Sequence, residues 1–174
     1  FKSILVSMFG DVYPGSFFQA RARSCGSKGE IIKVYGEVIS RGVRYAEANG
    51  LSIGGIGVAT PGPFDYKQGV SLMEHKFQAI KNVHLRDEIF ALKLLPGKLP
   101  IVFQQDVHSF LIGEHWTGAI RGAASAAAIT LGTGLGFGLL KDSKIIDNGH
   151  GGPYIVIFNR PFEGGILEDR ISRR

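Results

Sequence analysis

The segment Ala127-Ala128-Ile129-Thr130-Leu131-Gly132-Thr133-Gly134-Leu135-Gly136-Phe137-Gly138-Leu139-Leu140 constrains the fold of this chain more than any other. Two apolar runs flank Gly132-Thr133-Gly134, and the second carries glycine at every other position. This pattern predicts a β-hairpin whose turn bears almost no side chain. Glycine permits backbone conformations that a Cβ would forbid, so N–H groups at such a turn can converge. Converging N–H groups form a nest suited to an anion, commonly phosphate. The Thr133 hydroxyl would add one more donor. A second reading is equally open: glycine lets two backbones pack closely. Short glycine motifs occur in many unrelated settings, so the segment alone does not choose between the two.

Around this hairpin the chain alternates strand and helix signals. Ile4–Met8 and Phe17–Arg23 read as strands about the turn residues Pro14-Gly15. Ser27 and Glu30 have capping-box spacing. Ile31, Tyr35, Val38, Gly42 and Tyr45 then mark one face of a helix that Asn49-Gly50 should stop. Leu51–Ala59 reads as a buried strand running into the stiff loop Thr60-Pro61-Gly62-Pro63-Phe64-Asp65. Leu85–Leu95 is amphipathic and ends before Pro96-Gly97. Leu99–Gln104 is a short strand, Val107–Trp116 a helix, Ile145-Ile146 a strand and Tyr154–Phe158 another. The last residues, from Gly165, carry a helical pattern without a stop signal. Alternation of this kind argues for an α/β fold with a mixed sheet. The opening Phe and the unstopped final helix read as an internal piece of a longer protein.

Composition excludes several classes. The net charge of +5 and pI near 9.4 could point to a polyanion. Yet the basic residues are scattered, apart from Arg170, Arg173 and Arg174, and no nucleic-acid motif occurs. A lone cysteine, Cys25, permits neither an intrachain disulfide nor a CxxC zinc pair, which is compatible with a reducing cytoplasm. No apolar stretch approaches ~18 residues, so no membrane span is expected. There is no Walker A loop, no dinucleotide fingerprint and no H-E-x-x-H. His75, His84, His108, His115 and His150 share no ligand spacing and read as surface or packing residues, so no metal site is expected.

Asp106 stands where an apolar strand ends and a helix begins. There a short acid can cap the helix through N–H groups two or three residues on. The same carboxylate would also face the crevice at the carboxyl end of a strand, where α/β sheets bind ligands. From that place it could accept a hydroxyl proton during phosphoryl transfer. Pro61-Gly62-Pro63 reads as a stiff strand exit or as the floor of a polar site. Glu168 and Asp169 fall in the first turn of the last helix, where acids suit the dipole and a solvated cap is the simplest reading.

Together these pieces resemble the ROK family of bacterial sugar kinases and repressors. The resemblance rests on four segments in order: Gly55-Ile56-Gly57-Val58-Ala59-Thr60-Pro61-Gly62-Pro63-Phe64-Asp65; Leu99-Pro100-Ile101-Val102-Phe103-Gln104-Gln105-Asp106; Gly113-Glu114 with Gly118-Ala119; and Ile129–Gly138. It implies a ribonuclease-H-like, actin/hexokinase-type two-lobed α/β fold with mixed sheets, here incomplete at both ends. Residues 1–117 would be an N-terminal lobe lacking its first strand and phosphate loop, and 118–174 the start of the C-terminal lobe. It also implies ATP-dependent phosphorylation of a hexose or related sugar. Asp106 matches the acid that deprotonates the attacking hydroxyl. Gln105 stands where the family has a sugar-binding Asn. Thr130, Gly132, Thr133 and Gly134 match a loop that cradles ATP phosphates, with Mg²⁺ bridging them. Glu168, Gly62 and His150 are the remaining sugar-side candidates.

Three departures accompany the match. The family's Asp-x-Gly-Gly-Thr loop and its zinc-binding histidine and cysteines are missing, and its Gly-Glu-Ile-Gly-His motif has no clear counterpart. The alternative function is therefore a sugar-sensing domain of a repressor, which would meet nucleic acid only through a helix-turn-helix elsewhere. Either way the partner is a small sugar, the compartment cytoplasmic, and the expected assembly a homodimer.

Overall fold

A computed structural model describes residues 1–74, 76–95, 99–132 and 134–171. Thr133, His75, the expected stop Pro96-Gly97 and the basic residues Arg173 and Arg174 lie outside the described residues. The chain divides into two compact units. One comprises Phe1–Val58 and Gly62–Phe103; the other comprises Ala59–Pro61 and the chain from Gln104 onward.

The first unit opens with β1 (Lys2–Ser3) and β2 (Phe18–Gln19), paired antiparallel. The expected strand Ile4–Met8 does not form: the pairing lies at Lys2–Ser3, and Val6 makes an isolated bridge to Val12, while the expected Phe17–Arg23 strand shortens to Phe18–Gln19. Helix α1 (Lys28–Ala48) follows. Its start is set by a complete capping box: Ser27 Oγ accepts from the Glu30 N–H, and Glu30 Oε2 accepts from the Ser27 N–H at 2.8 Å. These bonds hold the Glu30 carboxyl below the usual range, the Ser27 backbone N–H contributing most. The helix ends at Asn49, and Gly50 takes φ +65° as a stop requires.

Strand β3 (Ile56–Thr60) is shorter than the Leu51–Ala59 run and alternates in burial. Next come β4 (Phe64–Asp65) and β5 (Val70–Ser71), an antiparallel pair, and α2 (Leu85–Ala91). Helix α2 stops short of Leu95 because the chain turns at Lys93, whose φ is +52°. The core of this unit joins Ile31, Ile32 and Tyr35 of α1 to Leu85 and Ile89 of α2, with Phe64, Tyr66, Met73, Ile80, Ile101 and Phe103. Apolar burial of this kind, at about 25 cal/mol per Å², is the main force holding the helices on the sheet residues.

Strand β6 (Ile101–Gln105) pairs with β3, and the division between the units falls within both strands. In the second unit α3 (Asp106–Trp116) is followed by a meander of β7 (Ser125–Leu131), β8 (Leu135–Lys141) and β9 (Lys144–Ile146). The β7–β8 register pairs Leu131 with Leu135 and Thr130 with Gly136, so the hairpin turns where the glycines predict. Val107 and Leu111 of α3 pack on Ala128 and Leu140 of the hairpin.

Tyr154–Phe158 is not a strand. After the bridge Asp147↔Pro153 no strand among the described residues pairs with this β-prone run, and Tyr154 and Phe158 are exposed. The carbonyls of Phe158 and Arg160 instead accept the N–H groups of Glu168 and Leu167. A short hairpin, β10 (Pro161–Phe162) with β11 (Gly165–Ile166), leads into α4 (Leu167–Ile171). No helix among the described residues is long and apolar enough to cross a membrane.

Candidate functional site

Asp106 is delivered by the β6–α3 junction. Gln105 leaves β6 in an extended conformation and occupies the helix N-cap position, yet its side chain makes no cap bond. Gln105 is buried, and its Oε1 has no hydrogen-bond partner among the described residues. Asp106 is exposed, and its Oδ1 accepts from the adjacent Val107 N–H at 2.9 Å. The expected cap to N–H groups two or three residues on is therefore not the bond this carboxylate makes. It belongs to the first helical turn, where the dipole of α3 favours negative charge.

The glycines of the hairpin divide into two kinds. A Cβ at Gly136 would collide with Thr130 Oγ1 and lie 3.3 Å from Val107 Cβ. One at Gly138 would lie 3.1 Å from His108 Cδ2 and 3.5 Å from Leu111 Cδ2. These two glycines let α3 approach β8, as the close-packing reading has it. Gly132 differs: among the described residues nothing beyond its chain neighbours lies within 4 Å of where its Cβ would be, so the turn is open on that side.

Two amides of the turn are engaged. The Gly132 N–H donates to the Gly134 carbonyl at 3.1 Å, and the Leu135 N–H donates to Glu168 Oε1 at 3.0 Å. Glu168 is 5% exposed, so the solvated-cap reading is corrected: the side chain turns inward onto the hairpin. Asp169 stays exposed. The start of β8 thus meets both the first turn of α3, through Gly136 and Val107, and Glu168, through Leu135.

The other candidates are placed differently. His150 is exposed on a loop shaped by Asn148, whose Oδ1 accepts from the N–H groups of His150 and Gly152 at 3.0 Å. Gly62 is exposed, in the first unit. Among the described residues, no group of three His, Cys, Asp or Glu side chains could hold a metal.

Two residues carry roles that their sequence signals left unspecified. Glu114 Oε2 accepts from the Ala119 N–H at 2.8 Å, and Gly118 has no Cβ because Glu114 fills that space. The Gly113-Glu114…Gly118-Ala119 segment is thus a helix-end lock. His108 is fully buried under Gly138. Burial holds its imidazole below the ordinary value, opposed in order by the Gly151 backbone and by the Asp147 and Asp106 carboxylates. The absence of a side chain at Gly138, opposite a helix, was the one sequence sign of a large ring below.

Comparison with known proteins bears on the family and the fold. The chain is 34% identical over 91 residues to a glucokinase of Thermotoga maritima, covering 52% of this chain and 27% of the glucokinase. It superposes on the ROK family glucokinase of Streptomyces griseus, solved with glucose and AMPPNP, with a TM-score of 0.77 at 20% identity, covering 98% of this chain and 53% of that one. A ROK family transcriptional regulator, a homolog of the E. coli MLC protein, gives 0.79 at 18% identity, covering 97% and 43%. These structural likenesses establish the actin/hexokinase-type α/β fold. The chain spans about a quarter of the Thermotoga relative and about half of the solved proteins. The ROK family pattern matches residues 24–153, well over half of the sequence, and the chain belongs to the ROK family.

Proposed function

We propose that these residues are part of an ATP-dependent kinase that phosphorylates a hexose or related sugar. The observation that carries this reading is the gathering, at the start of β8, of an exposed carboxylate's helix turn and an open glycine turn. Phosphoryl transfer needs a group to take the acceptor's proton and donors for the phosphates, both held in place before reaction. Asp106 takes the proton of the attacking hydroxyl. Its fixed position at the head of α3 supplies most of the effect, because orientation outweighs basicity in this chemistry. Thr130, Gly132 and Gly134, with Thr133 on the strength of its place in the sequence motif, are the phosphate-binding candidates, and the space beside Gly132 suits a phosphate cradle. Magnesium would ride on the phosphates and offset their charge; the described residues include no cage for it. Gln105, Glu168 and His150, all in the second unit, are the sugar-side candidates. The lobe boundary of the whole protein falls after Thr117, where α3 ends.

A second reading, a sugar-sensing module of a repressor, draws on Gln105 in the place of the family's sugar-binding Asn. Its likeness to a ROK transcriptional regulator fits both readings equally. One experiment separates them. The full-length protein carrying these residues is offered ATP, magnesium and a panel of hexoses, and sugar phosphate is followed by phosphorus NMR. Phosphorylation of at least one sugar is expected. Calorimetric sugar binding with no transfer to any sugar would overturn the kinase reading in favour of the sensor.

A further inference from the structure

We propose that Glu168 gates the phosphate turn, occupying its exit amide until an acceptor sugar draws the carboxylate away. This rests on the kinase reading above. The Leu135 N–H at the end of the turn donates to Glu168 Oε1 at 3.0 Å, in a buried bond. The carboxylate also lies against Gly134, where a Cβ would be 2.8 Å from Oε1. Any side chain at 134 would displace it. Glu168 is held there by its own backbone, because its N–H and that of Leu167 are bonded to Phe158 and Arg160.

A carboxylate in this place has a definite electrostatic consequence. An amide has one hydrogen, so Glu168 and a phosphate oxygen compete for the Leu135 N–H. Two anions at one turn also repel, more strongly where burial lowers the dielectric. With Glu168 seated, the turn is therefore hostile to a nucleotide. A sugar brings hydroxyl donors, and hydrogen bonds to an ionised acceptor are among the strongest available. Sugar hydroxyls can thus compete with the Leu135 N–H for the carboxylate and leave the turn to the phosphates. Nucleotide then binds productively only when an acceptor is present, which suppresses transfer to water. Glu168 is in this sense a positioning residue that acts through the turn, and its coupling of the two sites is reciprocal.

The test is calorimetry of AMPPNP binding to the full-length protein, with and without excess glucose, for wild type, Glu168→Ala, Glu168→Gln and the exposed control Asp169→Asn. Loss of one charge-assisted contact corresponds to a change of roughly tenfold or more. Without glucose, Glu168→Ala should bind AMPPNP about tenfold more tightly than wild type, and Asp169→Asn should match wild type. Glucose should tighten binding to wild type and leave Glu168→Ala unchanged. Glu168→Gln keeps the shape and an acceptor but not the charge, so it should fold as wild type does and bind more tightly without glucose. A merely structural Glu168 moves the other way, weakening nucleotide binding when it is removed. Equal, weaker or absent AMPPNP binding by both Glu168 variants without glucose would overturn the gate. Failure of the kinase reading is seen separately, as wild type that transfers no phosphate to any sugar.

Discussion

Replacing Gly138 by valine and, separately, Gly132 by alanine tests whether the hairpin glycines serve two different purposes. At Gly138 the new Cβ lies 3.1 Å from His108 Cδ2, with Leu111 Cδ2 and Val107 Cγ2 each at 3.5 Å. The two further methyl groups have no room, since His108 and Val107 are fully buried. Overpacking of this sort costs about 1–3 kcal/mol. Valine recovers up to about 1 kcal/mol through its preference for strands. With three buried side chains in contact the upper end of that cost applies, so the net loss is about 2 kcal/mol, or roughly 4–8 °C in melting temperature for a chain of this size. Gly132→Ala meets open space and no positive φ, so its effect should stay within about 0.5 kcal/mol. Urea unfolding of the three proteins, read by circular dichroism, gives both values. Equal stability of Gly138→Val and wild type, or equal losses at the two positions, would refute the division.

Two further outcomes are expected. His108 has its folded-state pKa below the unfolded value, so the unfolded chain takes up a proton that the folded chain refuses. Stability should be level above about pH 6.5 and fall as the pH drops through it, by up to about 1.4 kcal/mol per pH unit. His108→Leu should flatten that decline in urea unfolding measured between about pH 5 and 7; an unchanged slope would show that another group is responsible. Leu111→Ala empties the contact between α3 and the hairpin at a residue 1% exposed, and should cost about 2–5 kcal/mol in the same assay. A loss under about 1 kcal/mol would mean that α3 is not packed on the hairpin as described.

Local signals were legible where a few neighbouring residues decide the structure. Ser27 and Glu30 marked the start of α1, Asn49-Gly50 its end, and Gly132–Gly134 the hairpin turn, because caps and turns are settled within four or five residues. Tyr154–Phe158 failed for the opposite reason. Its side chains favour a strand, but a strand needs a partner, and the carbonyls of Phe158 and Arg160 are taken by residues 168 and 167. Glu168 was legible as a first-turn acid and as a family position, not as a buried one. Its burial depends on Leu135, 33 residues away. The glycine alternation leaves packing and a nest equally open in the sequence. The structure gives packing at Gly136 and Gly138 and leaves open space at Gly132, a distinction that only the position of α3 could supply.

The central claim is that Asp106 takes the acceptor's proton, and single-turnover transfer by Asp106→Asn in the full-length protein tests it most directly. Wild type and variant would be mixed with limiting ATP, magnesium and excess sugar, and sugar phosphate followed in time. Asparagine keeps the size of the side chain and its bond from Val107, but cannot accept the proton. The rate of transfer should fall by about 10²–10⁴, with sugar affinity little changed. Transfer by Asp106→Asn at the wild-type rate would contradict the assignment.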